Sequence, residues 1–222
     1  AERIARGGDK EAKATVAAAD RLLPHLDSGK PAITLAFGND EEKAAAARLF
    51  LLTSKPTLFV ANVAEHDLAR ADSLPHVLAV RRYAETHLGA EAVVVSAQIE
   101  AELADLPEKD AGEYLAGLGV PESGVGALIR AAYHLLGLRT YFTASEKEAR
   151  AWTIHAGETA PAAAGVIHSD FERGFIKAET VSYDDLVASG SMAAAREKGL
   201  VRQEGRDYVV QDGDVMLFRF NV

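Results

Sequence analysis

The side chains best suited to chemistry lie in two short polar segments, Asn62-Val63-Ala64-Glu65 and Ser96-Ala97-Gln98. Each directly follows a short apolar run rich in strand formers, residues 58–61 and 92–95. A run apolar on both faces suits a strand buried in an α/β sheet, with helices covering both sides. The polar segments then fall at the carboxyl ends of their strands, where open α/β sheets bind ligands. An amide, a carboxylate, a hydroxyl and free backbone N–H groups can read the polar edge of such a ligand. For Asn62 alone, an Asx turn that closes a strand is the bland alternative.

Other candidates are weaker. His155 and His168 lie thirteen residues apart with no carboxylate-rich partner, and surface or packing roles suit them better than metal ligation. Ser169 and Asp170 beside His168 have the residue types of a hydrolase triad. Consecutive residues do not converge on one point, however, and Gly-x-Ser-x-Gly is absent. Glu100 and Glu102 point differently on one helix and are expected to be solvated. Trp152, Phe171, Phe175, Phe218 and Phe220 read as core rather than as a stacking platform for bases. Arg173, Lys177, Arg202, Arg206 and Arg219 offer either a local basic face for RNA or a partner, or an ordinary solvated face.

Composition bounds these readings. The 222 residues carry a net charge of −9 and suffice for one large or two small domains. Residues 1–138 hold 14 basic and 20 acidic residues (−6), and the remainder 10 and 13 (−3). Neither part is a basic module, so nucleic acid or an anionic membrane would have to be met by a local patch. Zero cysteines exclude disulfides, thiolate metal sites and a cysteine nucleophile, and fit a reducing compartment. No apolar stretch approaches the roughly 18 residues of a membrane span, and there is no signal segment. A cytoplasmic, monomeric chain without a metal site of its own is the expectation. The opening Ala-Glu-Arg-Ile-Ala-Arg lacks an initiator Met and reads as mid-helix, so a fragment is also expected.

The elements that must position these residues follow in order. Residues 1–28 predict a charged helix with a break risk at Gly7-Gly8 and an apolar stripe of Ala12, Val16, Ala19, Leu22, Leu23 and Leu26. A second helix over 40–52 is capped by Asn39 or Asp40, and the two suggest a helical hairpin or simply two covering helices. Helices are predicted near 75–88, 98–106, 108–118 and 122–137, with Gly89, Gly119 and Gly137 at C-terminal positions. The order strand, helix, strand, helix suits the tail of a doubly wound domain. Two parallel strands do not make a sheet alone, so the rest of the sheet is expected from outside these residues. Beyond residue 139, strands are predicted at 140–143, 150–154, 175–181, 208–210 and 215–221, with a short helix over 161–168. Asp212-Gly213-Asp214 predicts a hairpin turn before the last strand. That set suits a small α+β module of β-grasp type.

Asn62-Val63-Ala64-Glu65 occupies the place of the base-reading Asn-Lys-x-Asp motif of P-loop GTPases, and Ser96-Ala97 that of the fold's second base-contacting loop. Residues 55–65 (Lys-Pro-Thr-Leu-Phe-Val-Ala-Asn-Val-Ala-Glu) resemble the YchF family, the Obg-like ATPases. So do residues 95–103 (Val-Ser-Ala-Gln-Ile-Glu-Ala-Glu-Leu), 141–154, 159–175 and 204–222. The resemblance covers essentially the whole chain and is most specific over its last 85 residues.

The resemblance implies an α/β plus α+β chain in three parts. Residues 1–50 resemble a helical coiled-coil insertion, 51–138 the C-terminal part of a doubly wound P-loop nucleotide-binding domain, and 139–222 a ubiquitin-like TGS domain. It also implies ATP or ADP with Mg²⁺ as cofactor. Asn62 and Val63 would contact adenine, Glu65 would shape the pocket, and Ser96, Ala97 and Gln98 would close its other wall. Replacing the motif's Lys by a short residue and lengthening its acid moves the carboxylate away from where guanine N1–H is read. Gly-x-x-x-x-Gly-Lys followed by Ser or Thr is absent, as is an Asp-x-x-Gly magnesium loop. Phosphoryl transfer depends on such parts, so no catalytic residue is assigned and these residues alone are not expected to hydrolyse ATP. The implied partner is the ribosome or its RNA. A non-enzymatic ribosome-binding module and a GTP-binding switch are the alternatives.

Overall fold

The computed structural model describes residues 9–145 and 148–221. Residues 1–8 of the helix expected over 1–28, with its break at Gly7-Gly8, lie outside the described residues. The chain divides into two compact units, one up to Leu135 and one from Leu136.

The first unit opens with helix α1 (Lys10–Asp27), whose start is fixed by the Asp9 carboxylate accepting the Ala12 N–H at 2.6 Å. Helix α2 (Asp40–Ala47) begins the same way, with the Asn39 amide oxygen accepting the Glu42 N–H at 2.8 Å. Three acidic residues in its first turn, Asp40, Glu41 and Glu42, suit the positive end of the helix dipole. The two helices pack through Ala14, Ala18, Leu22, Ala45 and Ala46, and Arg21–Glu42 at 2.7 Å braces them. The buried stripe keeps Ala12 and Leu22 of the predicted one and adds Ala14 and Ala18, whereas Leu23 is 59% exposed. Small side chains let the backbones approach, so the alanine rows rather than the bulkiest residues face the partner helix.

Strands β1 (Phe59–Asn62) and β2 (Ala92–Val95) pair in parallel, with Asn62 level with Val95. Helix α3 (Glu65–Leu68) follows β1, and α4 (Pro75–Leu88) returns the chain to β2. Helices α5 (Ala97–Ala104), α6 (Glu108–Gly117) and α7 (Gly124–Leu135) complete the unit. Phe59 meets Tyr83 of α4 edge to face, while Val93 and Val95 pack against Leu128 and Ala131 of α7. Residues of alternating parity face opposite sides of a strand, so the two helices cover opposite faces of the sheet. Burial of β1 on both faces does not hold. Val60 is 47% exposed and Asn62 is exposed, because α7 packs on β2. Among the described residues no strand pairs with the outer edge of β1.

The second unit is a five-stranded sheet in the order 149–155, 138–144, 214–220, 175–182, 202–204. Strands β3 (Leu138–Ala144) and β4 (Ala149–His155) form an antiparallel hairpin. Helices α8 (Ala160–Ile167) and α9 (Ser169–Arg173) follow, then β5 (Phe175–Ser182). Helices α10 (Tyr183–Ser189) and α11 (Met192–Glu197) precede β6 (Arg202–Glu204). The last strand, β7 (Asp214–Phe220), enters between β3 and β5, parallel to the former and antiparallel to the latter. Tyr141, Ile154, Ala163, Phe175, Met216 and Phe218 form the core under α8. The expected strand over 208–210 is reduced to a single bridge between Thr159 and Val209. Asp212-Gly213-Asp214 therefore joins no hairpin, since β7 is flanked by β3 and β5 instead.

Candidate functional site

Both polar segments emerge at the same ends of β1 and β2, because the strands are parallel and in register. Asn62 closes β1 and its amide oxygen accepts the Ala97 N–H at 3.0 Å, linking segments 35 residues apart. One step on, the Val63 N–H donates to the Val95 carbonyl at 2.9 Å. Asn62 thus bonds across to the second loop and not within its own, as the alternative Asx turn would have it. That bond occupies one of the backbone N–H groups that a helix start leaves without an intrahelical partner.

Ser96 is 1% exposed, and among the described residues its hydroxyl has no hydrogen-bond partner. It stands at the N-cap of α5 without capping the helix. A buried hydroxyl left unsatisfied costs free energy, so this position fits a site that a polar ligand completes. Ala97 and Gln98, by contrast, are exposed on the first turn of α5, and Val63 and Glu65 are half-buried. The structure therefore brings Asn62, Val63, Ser96, Ala97 and Gln98 to one end of the two-stranded sheet, with Glu65 opening α3.

Two residues outside the predicted set join this cluster. Tyr114 of α6 donates its hydroxyl to Glu102 Oε2 at 2.5 Å, and Gln98 Nε2 donates to Glu102 Oε1 at 3.3 Å. The Tyr114 phenol is pushed up to about 12, first by that hydrogen bond, and the Glu65 charge adds to the shift. The Glu102 carboxyl is correspondingly held down by Tyr114 and then by Gln98. Glu100 points elsewhere: its Oε1 accepts the Gly124 N–H at 2.6 Å at the start of α7. A Cβ at Gly124 would lie 2.9 Å from Val95 Cα, so glycine there lets α7 close on the strand that carries Ser96.

Of the five basic candidates in the second unit, three are paired with carboxylates. Arg173 pairs with Asp170, Arg202 with Glu204 at 2.8 Å, and Arg219 with Glu179 at 3.0 Å. Arg206 donates to the Phe175 carbonyl at 3.1 Å. Lys177 stands opposite Arg219 in the β5–β7 ladder. Of the two histidines, His168 Nδ1 accepts the Asp170 N–H at 3.1 Å, a capping role. Among the described residues no three His, Cys, Asp or Glu side chains gather as a metal site. None of their helices is long and apolar enough to cross a membrane.

Comparison with known proteins gives a consistent picture. Residues 138–221 match the family model YchF-GTPase_C, described as a protein of unknown function (DUF933). The chain is 50% identical over 220 residues to "Ribosome-binding ATPase YchF" of Bacillus subtilis (strain 168), covering 99% of this chain and 60% of that protein. It is 46% identical over 221 residues to the protein of the same name in Escherichia coli O157:H7, again covering 60% of it. It is 36% identical to "Obg-like ATPase 1" of Gallus gallus, covering 99% of this chain and 56% of that one. The solved "Structure of the Schizosaccharomyces pombe YchF GTPase" superposes with a TM-score of 0.71 at 30% identity, over 91% of this chain and 53% of that one. The chain thus spans about 60% of the length of the curated bacterial relatives it matches.

Proposed function

The chain belongs to the YchF and Obg-like ATPase family, matching its C-terminal part, and on that premise we propose that it carries the base-reading half of a ribosome-associated ATP-binding protein. One observation carries the proposal: the Asn62–Ala97 hydrogen bond, which joins two loops at the carboxyl ends of parallel strands beside the orphaned Ser96 hydroxyl. Open α/β sheets bind ligands at such ends.

In this reading Asn62 orients the second loop, and Val63, Ser96, Ala97 and Gln98 hold adenine, with Glu65 shaping the pocket. Bound ATP with Mg²⁺ supplies the transferable phosphate. The phosphates and metal would be held by residues other than these 222, which contain no P-loop motif. The first unit is then the C-terminal part of a doubly wound domain bearing a helical arm, α1 and α2. The second unit is read as a TGS domain of β-grasp type. Support comes from its opening hairpin, the helix that follows, and the last strand set in mid-sheet beside the first. The arm and the TGS domain are assigned to ribosome contact in the cytoplasm, in line with the names of the bacterial relatives.

A GTP-binding reading is supported by names: the matched family model is YchF-GTPase_C and the fission-yeast relative of known structure is named a GTPase. Equilibrium displacement of a fluorescent ATP analogue from the full-length protein separates the two, together with ATP turnover and co-sedimentation with ribosomes. Displacement by ATP well ahead of GTP, with turnover, is expected. Equal displacement overturns the adenine assignment, and sedimentation without any nucleotide binding replaces it with a non-enzymatic ribosome-binding module.

A further inference from the structure

We infer that Tyr114 and Glu102 are positioning residues that set which base the site accepts, by fixing the orientation of the Gln98 side-chain amide. The inference rests on the adenine-site reading above and deepens it.

The observations are geometric. Gln98 sits on the first turn of α5, next to the Ala97 N–H that Asn62 ties to β1. Its amide NH₂ donates to Glu102 one turn further along the same helix, at 3.3 Å. The other carboxylate oxygen of Glu102 takes the Tyr114 hydroxyl at 2.5 Å, so a residue of α6, twelve positions away, locks the acceptor in place. A side-chain amide has a donor end and an acceptor end. One of the two amide N–H groups is held by a carboxylate, which only accepts, so the amide does not flip and its carbonyl oxygen faces away from Glu102.

That polarity discriminates between purines. At the position where adenine carries an amino group that donates, guanine carries a carbonyl that accepts. An acceptor held at Gln98 pairs with the first and faces the second oxygen to oxygen. Without Glu102 the amide turns freely and serves either base. Placement near the first loop has separate support, because Tyr114 lies close enough to Glu65 to feel its charge.

The test is the ratio of ATP to GTP affinity in the full-length protein, measured by displacement of a fluorescent ATP analogue for wild type, Glu102→Gln and Tyr114→Phe. A change that merely loosens the fold weakens both nucleotides together, whereas lost orientation moves the ratio. Wild type is expected to prefer ATP. Glu102→Gln should reduce that preference about two- to tenfold, the range for one hydrogen bond, and Tyr114→Phe should reduce it less. Wild-type preference with the ratio unchanged in both variants overturns this inference and leaves the adenine-site reading standing. No wild-type preference overturns both. Should Glu102→Gln fail to fold, the Tyr114→Phe ratio decides alone, since that change removes one oxygen from an exposed contact.

Discussion

The amide oxygen of Asn62 accepts the backbone N–H of Ala97, 35 residues away in sequence, at 3.0 Å and joins the ends of two parallel strands. One acceptor atom thereby sets the distance between the two loops of the candidate site. Asn62→Ala removes that acceptor, whereas Asn62→Asp keeps it. The alanine variant should lose about 0.5–1.5 kcal/mol of stability, the usual net worth of one hydrogen bond, with nucleotide binding lost in parallel. Thermal melting followed by circular dichroism checks this. Equal melting of the alanine and aspartate variants would show that the bond contributes nothing.

Gly124 lets α7 close on β2. Its replacement by Ala places a methyl 2.9 Å from Val95 Cα and 3.1 Å from Glu100 Oε1. We expect a loss of about 1–3 kcal/mol, typical of overpacking, and faster hydrogen exchange over 92–98. Unaltered exchange in that segment would show that α7 does not brace the second loop.

Phe50 has φ of 50° and is 82% exposed, so it bears left-handed backbone strain with no burial to offset it. Phe50→Gly relieves about 1–3 kcal/mol of strain against about 0.5–1 kcal/mol of added chain entropy, so stability should rise by about 1 kcal/mol in a denaturant titration of this chain. A fall instead would show that the ring is covered in solution.

Glu179 in β5 takes hydrogen bonds from Arg196 at 2.5 Å and from Arg219 at 3.0 Å. Its carboxyl is held below the ordinary range, first by Arg196 and further by Arg219. A depressed folded value means that the stabilisation is fully present above the unfolded value, near 4.3. It fades as pH falls through the folded value. Glu179→Gln should therefore cost about 1.5–3 kcal/mol near pH 7, with the gap to wild type closing at acid pH. Trp152, the sole tryptophan, lies in the same unit and reports the unfolding by fluorescence. A gap that stays constant down to low pH would contradict the pairing.

Much of the scaffold is legible in sequence, for identifiable reasons. The runs ending at Asn62 and Val95 are apolar and bounded by breakers, and they form β1 and β2. Gly89, Gly119 and Gly137 mark helix ends by residue type, and all three adopt positive φ. Strand β6 carries no such signal, because Arg202, Gln203 and Glu204 include no apolar residue. Pairing with β5 at the sheet edge makes them a strand. Helices α10 and α11 are absent from the sequence-based expectation although Ser182 and Ser191 cap them, accepting the Asp185 and Ala194 N–H groups at 3.1 Å each. The Ser-x-x-Asp pattern at 182–185 is a usable signal. The basic residues suggest one face because a count of charges does not show pairing; Glu179, Glu204 and Asp170 engage three of them. The Tyr114–Glu102 contact has no sequence signal, since it depends on how α6 packs beside α5.

The central claim is that the two loops read adenine, and amide chemical-shift mapping of the 222-residue chain with adenosine and with guanosine tests it most directly. Adenosine should shift the Val63 and Ser96–Gln98 amides and the Asn62 side-chain amide, with guanosine producing much smaller changes and residues 138–221 unaffected. Equal shifts from both nucleosides, or shifts confined to other residues, would contradict it.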